Sequence, residues 1–262
     1  EAYRLIGGGS PLARITGEQA RALQTALLVD GRFLVRMAMR YWQPGAEEAL
    51  AEFAQEGIRR IVALTLYPHY SRATTGSSLD ALRNAIAASG HDFELAEVRE
   101  WPEQPEYVAC LAQGIREGMA GFGGEPLQLV YSAHSLPVSF IREGDPYLDQ
   151  IKRTIAAVEK ITGMAGKLCF QSRSGPVEWL APSTPEMLER LAADGVKNVL
   201  MMPISFVSDH VETLYEIDIQ YRELAASLGM RLERTASLNT KQDFIQGLRG
   251  LVTESCRHSG WL

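Results

Sequence analysis

Residues 199–216 read V-L-M-M-P-I-S-F-V-S-D-H-V-E-T-L-Y-E, an apolar run that passes into an acidic segment. The apolar part is typical of a strand buried on both faces. The segment from Phe206 to Glu216 predicts a helix, because Asp209 followed three residues later by Glu212 has the pattern of a capping box. A strand that leads directly into a helix is the repeating unit of an α/β protein.

The same order recurs along the chain. Strands are predicted at residues 33–39, 60–66, 93–98, 127–132, 168–171, 199–204 and 230–234, with helices between them and a final helix from about residue 241. This alternation predicts parallel, doubly wound sheets. The rhythm restarts near Gly121–Gly124, so we predict two Rossmann-like domains, residues 1–122 and 123–262, with a ligand cleft between them. The first domain is expected to lack its first strand, and the last helix could pack back on it.

Composition narrows the class of protein. The chain of 262 residues is 46% hydrophobic and 22% charged, as is ordinary for a globular protein. Its net charge of −6, without a dense basic stripe, argues against nucleic-acid binding. Cys110, Cys169 and Cys256 are odd in number and far apart, which favours reduced thiols in the cytoplasm. No membrane-spanning run is present, while a peripheral contact with the inner membrane face stays open. The oligomeric state is not predicted.

Ligands of open α/β sheets lie beyond the carboxyl ends of the strands. The residues that follow the predicted strands here are rich in aromatic rings, histidines and acids, namely Arg40, Tyr41, Trp42, Tyr67, His69, Tyr70, Trp101, His134, Trp179, Phe206, His210 and Glu212. Such a set suits a large planar ligand, although aromatic residues at strand ends are also common in ordinary packing. The motifs of serine hydrolases and zinc peptidases, G-x-S-x-G and H-E-x-x-H, do not occur in the sequence.

Two interpretations of the polar residues remain open at this point. Taken alone, His134 is more simply a histidine bonded to loop backbone, and Glu212 an acid that complements a helix dipole. Glu212 and Glu216 are four residues apart and would share one helix face. An imidazole and two carboxylates on one rim indicate instead a cation or proton-transfer site.

Several motifs resemble the ferrochelatase family. They are S-A-H-S-L-P at 132–137, G-D-P-Y at 144–147, Q-S-R-S-G-P at 171–176 and F-V-S-D-H-V-E-T-L-Y-E-I-D-I at 206–219, extended by I-G-G-G-S-P at 6–11, Y-P-H-Y-S at 67–71 and T-T-G-S-S at 74–78. The resemblance covers nearly the whole chain in order. It implies insertion of ferrous iron into protoporphyrin IX, the last step of haem synthesis, in a cleft between two Rossmann-like domains.

The resemblance also implies roles for residues. His134 matches the essential histidine that faces the pyrrole nitrogens and the metal, and Glu212 the acidic residue on the opposing face. The metal contacts implied are His134, Glu212, His210 and Glu216. The implied porphyrin contacts are Tyr3, Ser10, Arg40, Tyr41, Tyr67, Trp179 and Phe206.

Departures from the family pattern qualify these roles. Gln220 stands where the family often has a glutamate, and His69 replaces a glutamine and could add a weak metal site. Arg72 occupies the position of a cluster cysteine, so no [2Fe–2S] cluster and no permanent cofactor are expected. The family's N-terminal strand has no counterpart before Glu1, so this chain alone is expected to be unstable or inactive. Rival functions are a coproporphyrin III ferrochelatase, a chelatase for another metal such as cobalt, and a non-catalytic tetrapyrrole carrier.

Overall fold

The structure is a computed structural model that describes residues 2–262. Its strands are β1 (Arg60–Leu64), β2 (Glu94–Val98), β3 (Gln128–His134), β4 (Gly166–Gln171), β5 (Asn198–Pro203) and β6 (Arg231–Arg234). Its α-helices are α1 (Ala2–Leu5), α2 (Leu12–Leu27), α3 (Ala46–Gln55), α4 (Ser77–Ser89), α5 (Pro105–Ala120), α6 (Val138–Arg142), α7 (Tyr147–Thr162), α8 (Thr184–Ala193), α9 (Arg222–Ser227) and α10 (Gln242–His258). Two π-helices, Arg72–Gly76 and Glu212–Tyr221, run directly into α4 and α9.

Both sheets are parallel throughout. One sheet pairs β1 with β2, and the other has the strand order β4-β3-β5-β6. In the larger sheet β3 is an inner strand, with His134 opposite Gln171 of β4. The predicted α/β class with parallel sheets is confirmed.

The chain divides into two compact units. One combines the chain up to Leu12 with Tyr107–Leu238 and holds the four-stranded sheet. The other combines Ala13–Glu106 with Asn239–Leu262, and in it α10 contacts β1 and β2. This division places most of α5 with the four-stranded sheet and α10 with the sheet of β1 and β2. The domain boundaries 1–122 and 123–262 stay a prediction.

The strand predicted at residues 33–39 is wrong, since this extended segment joins neither sheet. Its backbone is bonded elsewhere. The Val35 N–H donates to Gln24 Oε1 at 2.9 Å, and the Met39 N–H donates to the Pro44 carbonyl at 2.8 Å. An apolar run becomes a strand only when a neighbouring strand accepts its backbone groups.

The core of the larger sheet anchors the acidic segment. Fully buried side chains from β3, β4 and β5 pack with those of α8 and α9, including Val130, Cys169, Leu188, Met201 and Ala225. Ile217 and Tyr221 of the π-helix Glu212–Tyr221 belong to the same cluster. Burying each large apolar side chain contributes about 1.5–3 kcal/mol, so the π-helix is held in place by packing.

We expect Gly166→Ala to destabilise the protein by about 1–3 kcal/mol, because the added methyl group would overpack the surrounding core. A Cβ on Gly166 would lie 2.5 Å from the Tyr131 ring, which is fully buried and has no room to move. Gly250→Ala in α10 is the matched control. Its Cβ would meet nothing within 4 Å, and alanine is expected to add up to about 1 kcal/mol in a helix. Denaturant melts of both variants check the contrast, and equal effects would contradict it.

Candidate active site

His134 is fixed by its backbone at the carboxyl end of β3. Its N–H donates to Ser205 Oγ at 3.0 Å, and its carbonyl accepts from the Tyr147 hydroxyl at 2.9 Å. Ser205 and Tyr147 are both buried. The backbone at His134 is therefore set by two side chains from outside the strand, and the imidazole projects from a rigid position.

The imidazole of His134 contacts Glu212 directly. Nδ1 lies 2.9 Å from Glu212 Oε2, and both side chains are only partly exposed. Nε2 of His210 lies 3.8 Å from the same oxygen, while its Nδ1 is 3.0 Å from the Ser208 carbonyl. In this structure the two side chains that the resemblance places on opposite faces of a ligand are in hydrogen-bond contact, and their arrangement around a bound ring stays a prediction.

The predicted capping box of Asp209 and Glu212 is also wrong. The Glu212 carboxylate faces His134 and His210, and the first turn is capped through Thr213, whose Oγ1 accepts from the His210 N–H at 3.0 Å. Asp209 is engaged by Arg234 at 3.1 Å. Stronger charged partners have therefore displaced the local cap, and Glu212 is available for chemistry.

The surroundings of His134 and Glu212 favour the charged form of each group. Burial disfavours the charged imidazole, but the bond to Glu212 and the charges of Glu212 and Glu216 outweigh it, so the pKa of His134 is raised. Burial likewise opposes the Glu212 charge, but its bonds to His134 and His210 hold the pKa of Glu212 well below its ordinary value. One proton is thus held between two groups.

Glu216 behaves differently from Glu212. Burial and the Glu212 charge raise its pKa, against three hydrogen bonds that favour the anion. Ser172 Oγ lies 2.9 and 2.8 Å from its two oxygens, Gln171 Nε2 donates at 3.2 Å, and the Tyr221 hydroxyl donates at 3.3 Å. A carboxyl group whose pKa lies nearer neutrality can take up and release protons.

Gln171 and Ser172 contact the two glutamates of the site, and the sequence analysis gave neither residue a role of its own. Gln171 Nε2 also donates to the Glu212 carbonyl at 2.9 Å, so one amide joins both glutamates. Ser172 has a φ of 63°, which a non-glycine residue seldom adopts. Gln171 ends β4 and Ser172 follows it directly, so the strand-end rule that identified His134 could have found them.

Four of the implied porphyrin contacts belong to this unit. The Phe206 ring lies edge-on to His134, with centroids 6.3 Å apart, and 4.5 Å from the His210 ring. The Trp179 indole donates to the Gly175 carbonyl at 3.4 Å. Ser10 Oγ accepts from the Leu12 N–H at 3.3 Å, and Tyr3 in α1 is exposed, as expected of residues that could meet a ligand.

Three further implied contacts belong to the other unit. Arg40 Nε donates to Ser77 Oγ at 3.0 Å, and its guanidinium lies 4.7 Å from the Tyr41 ring centroid. Tyr41 is 77% exposed and Tyr67 is 42% exposed. His69, by contrast, is buried, and burial lowers its pKa to about 3, so its imidazole is neutral and the weak metal site suggested for it stays a prediction.

Within residues 2–262 no group of three or more His, Cys, Asp or Glu side chains is arranged to hold a metal ion. The four implied metal contacts instead form an ion pair, His134 with Glu212, flanked by His210 and Glu216. Across the same residues, none of the helices is long and apolar enough to cross a membrane.

Replacing Ser172 with glycine is expected to raise the pKa of Glu216 further, because a donor to the charged form is lost. Glycine tolerates the positive φ of this position, so the backbone should not change. Carboxyl-carbon NMR titration measures the shift. Tyr221→Phe, which removes only the longer 3.3 Å bond, serves as comparison and should give a smaller rise. An unchanged midpoint in Ser172→Gly would show that the hydroxyl does not stabilise the anion.

Comparison with known proteins gives close relatives. The sequence model of the family described as Ferrochelatase matches residues 1–256. A ferrochelatase of Desulfotalea psychrophila is 57% identical over 257 residues, which is 98% of this chain and 80% of that protein. A ferrochelatase of Geotalea uraniireducens is 51% identical over 253 residues, covering 95% of this chain and 79% of that protein.

Solved structures share the fold at much lower identity. SirB from Bacillus subtilis with Fe3+ has a TM-score of 0.66 at 13% identity, over 93% of this chain and 90% of that one. CbiX, described as the terminal enzyme for biosynthesis of siroheme in denitrifying bacteria, has a TM-score of 0.59 at 14% identity, over 94% of each chain. These likenesses bear on the fold alone. The family model and the relatives go further: the chain belongs to the ferrochelatase family.

Proposed function

We propose that this protein is a lyase that inserts Fe2+ into protoporphyrin IX to give protohaem, the terminal step of haem synthesis. The observation that carries the proposal is the 2.9 Å contact between His134 and Glu212 at a strand end of a chain in the ferrochelatase family. A carrier that only binds tetrapyrroles has no use for a half-buried histidine–glutamate pair that can exchange a proton.

Metal insertion makes two demands on a protein. Two N–H protons must leave the porphyrin, and the hydrated iron must lose its water. The porphyrin lone pairs lie in the ring plane, so a site that holds the ring distorted exposes them and draws on binding energy from the rest of the macrocycle. The protein therefore has to supply proton acceptors, oxygen ligands and a firm grip on the ring.

We assign to His134 the role of proton acceptor and to Glu212 the role of binding the metal cation. Nδ1 of His134 is bonded to Glu212, so Nε2 is the nitrogen through which the neutral imidazole, formed when the ion pair gives up its proton, can take a pyrrole proton. The carboxylate suits a divalent cation as well as an imidazolium, so iron and the His134 proton compete for it. Arrival of one favours departure of the other, which couples metal entry to proton transfer.

Glu216 and His210 are assigned to the path that serves this pair. Glu216 has a raised pKa and is joined to the Glu212 backbone by the Gln171 amide, so it is suited to carry protons away. His210 lies 3.8 Å from the Glu212 carboxylate and can share a cation with it. Gln220 is exposed and neutral, so we propose that the acidic path ends at Glu216.

The residues proposed to grip the porphyrin are Tyr3, Ser10, Arg40, Tyr41, Tyr67, Trp179 and Phe206. Flat aromatic rings suit a macrocycle face, and a guanidinium such as Arg40 suits its carboxylate side chains. The position of Phe206 against both His134 and His210 supports a contact near the reacting centre.

We further propose a cytoplasmic protein without a resident metal, since iron is the substrate. Burial raises the pKa of Cys169 to about 11 and also raises that of Cys256, so these thiols hold their protons and are poor cluster ligands. A peripheral membrane contact at the inner face is compatible with this proposal.

Anaerobic mixing of the protein with Fe2+ and protoporphyrin IX tests the proposal, and the absorption spectrum of haem is the expected result. Parallel reactions with coproporphyrin III, and with Co2+ in place of Fe2+, rank the substrates. Faster turnover of coproporphyrin would move the assignment to that substrate. Tight binding of porphyrin without metal insertion would overturn the enzyme and favour a carrier.

A further inference from the structure

Arg234, at the end of β6, is buried within a carboxylate cluster that the proposed reaction does not use. Its side chain is 10% exposed. Nε donates to Oδ1 of Asp218 at 2.8 Å and Nη2 donates to Oδ2 at 2.8 Å, so the guanidinium holds this carboxylate through two parallel bonds. Nη1 lies 3.1 Å from Asp209 Oδ1 and donates to Ser237 Oγ at 3.0 Å.

The two carboxylates held by Arg234 bracket the site in sequence. Asp209 directly precedes His210 and lies three residues before Glu212, while Asp218 follows Glu216 by two residues. Asp209 Oδ1 is further held by Ser237 Oγ at 2.7 Å and by Thr213 Oγ1 at 3.4 Å. A single guanidinium on the sheet therefore ties down the segment that carries three proposed site residues, on both sides of the Glu212 carboxylate.

We propose that Arg234 is a positioning residue that sets the placement of Glu212 and His210 against His134, by fixing Asp209 and Asp218 to the end of β6. This inference rests on the proposed function for its kinetic consequence but not for its structural one. Only arginine offers a planar fork that can hold one carboxylate through two bonds while a third nitrogen reaches another. Lysine would keep the charge and lose the geometry.

The test compares Arg234→Met, Arg234→Lys and wild type. In Arg234→Met we expect kcat for Fe2+ insertion to fall by about 10- to 100-fold while the porphyrin Kd changes by less than about twofold, because misplacement affects the reacting groups and not the ring contacts. Arg234→Lys should recover part of kcat. Hydrogen exchange of peptides covering residues 206–221 should be faster in Arg234→Met than in wild type.

Arg249→Met is the matched control. Arg249 makes the same two-bond contact with Asp30, at 2.5 and 2.9 Å, in the unit that holds β1 and β2. Its loss should lower the melting temperature and leave kcat and the exchange of residues 206–221 at wild-type values. If Arg234→Met fails to fold, Asp218→Asn removes the fork partner alone and should give the same fall in kcat.

Two results would overturn the inference. One is a kcat of Arg234→Met no lower than that of Arg249→Met, and the other is unchanged exchange at residues 206–221. If wild-type protein shows no turnover, the proposed function fails, while the exchange comparison still decides whether Arg234 holds the segment.

Discussion

Replacing His134 with alanine is expected to lower kcat for iron insertion by about 10²- to 10⁴-fold, the usual contribution of a positioned acid–base group. Alanine removes the imidazole that is proposed to accept the pyrrole proton. It leaves intact the backbone bonds of His134 to Ser205 and Tyr147, so the fold should persist. Anaerobic turnover assays measure this fall, and fluorescence quenching measures porphyrin binding, which should stay within about threefold of wild type because the seven residues proposed to grip the macrocycle are intact.

His258→Ala provides the control for this experiment. His258 is exposed at the end of α10, and its Nδ1 lies 3.0 Å from the Glu254 carbonyl. Loss of an exposed imidazole should leave turnover unchanged. Wild-type turnover in His134→Ala would remove the imidazole from the mechanism.

Glu212→Gln is expected to abolish most activity while the protein stays folded. The amide keeps the shape of the side chain but cannot carry the charge that pairs with His134 or with a divalent cation. A fall in kcat of about 10²-fold or more is expected for such a group. Without the anion, the pKa of His134 should fall from its raised value, and imidazole NMR titration of the variant measures this directly.

Glu186→Gln is a sharp control, because Glu186 is a glutamate that does close a capping box. Its carboxylate accepts from the Ser183 N–H at 2.6 Å, and Ser183 Oγ accepts from the Glu186 N–H. Glutamine at this position can also close the capping box, so this variant should lose only the contribution of the charge, about 0.3–1 kcal/mol of stability, and keep full activity. If Glu212→Gln behaved in the same way, the carboxylate would be structural.

The same pair predicts how stability depends on pH. The pKa of His134 is raised from 6.5. Its contribution to the free energy of unfolding is therefore complete below pH 6.5 and is lost as the pH rises through the raised pKa. The pKa of Glu212 is lowered from 4.5, so its contribution is present above pH 4.5 and is lost in stronger acid. The difference in unfolding free energy between wild type and Glu212→Gln should therefore be largest between pH 4.5 and 6.5, which denaturant melts at several pH values can check.

Local sequence patterns predicted much of the fold. Buried apolar runs such as residues 199–204 predicted β5, and the strand-to-helix rhythm predicted parallel sheets. Residues 33–39 look the same by composition, yet they form no ladder, because strand formation depends on a partner that the segment itself does not encode.

The candidate site was predictable in its members and not in its geometry. The strand-end rule pointed to both His134 and Glu212, and the family motifs gave each a role, but neither indicated that the two side chains touch. The capping-box pattern of Asp209 and Glu212 failed because Arg234, distant in sequence, competes for Asp209. Long-range charged partners of this kind are invisible to a reading of neighbouring residues.

One segment serves two purposes in this protein. The π-helix that presents Glu212 and Glu216 also buries Ile217 and Tyr221 in the core of the larger sheet. A mutation that loosens the packing of Leu188 or Met201 also changes how firmly the two glutamates are held. Natural variation in that core is therefore expected to affect catalysis. A selection for iron insertion in a mutant library would act at the same time as a selection for the packing of β3, β4 and β5, and heat should extinguish turnover as that core melts.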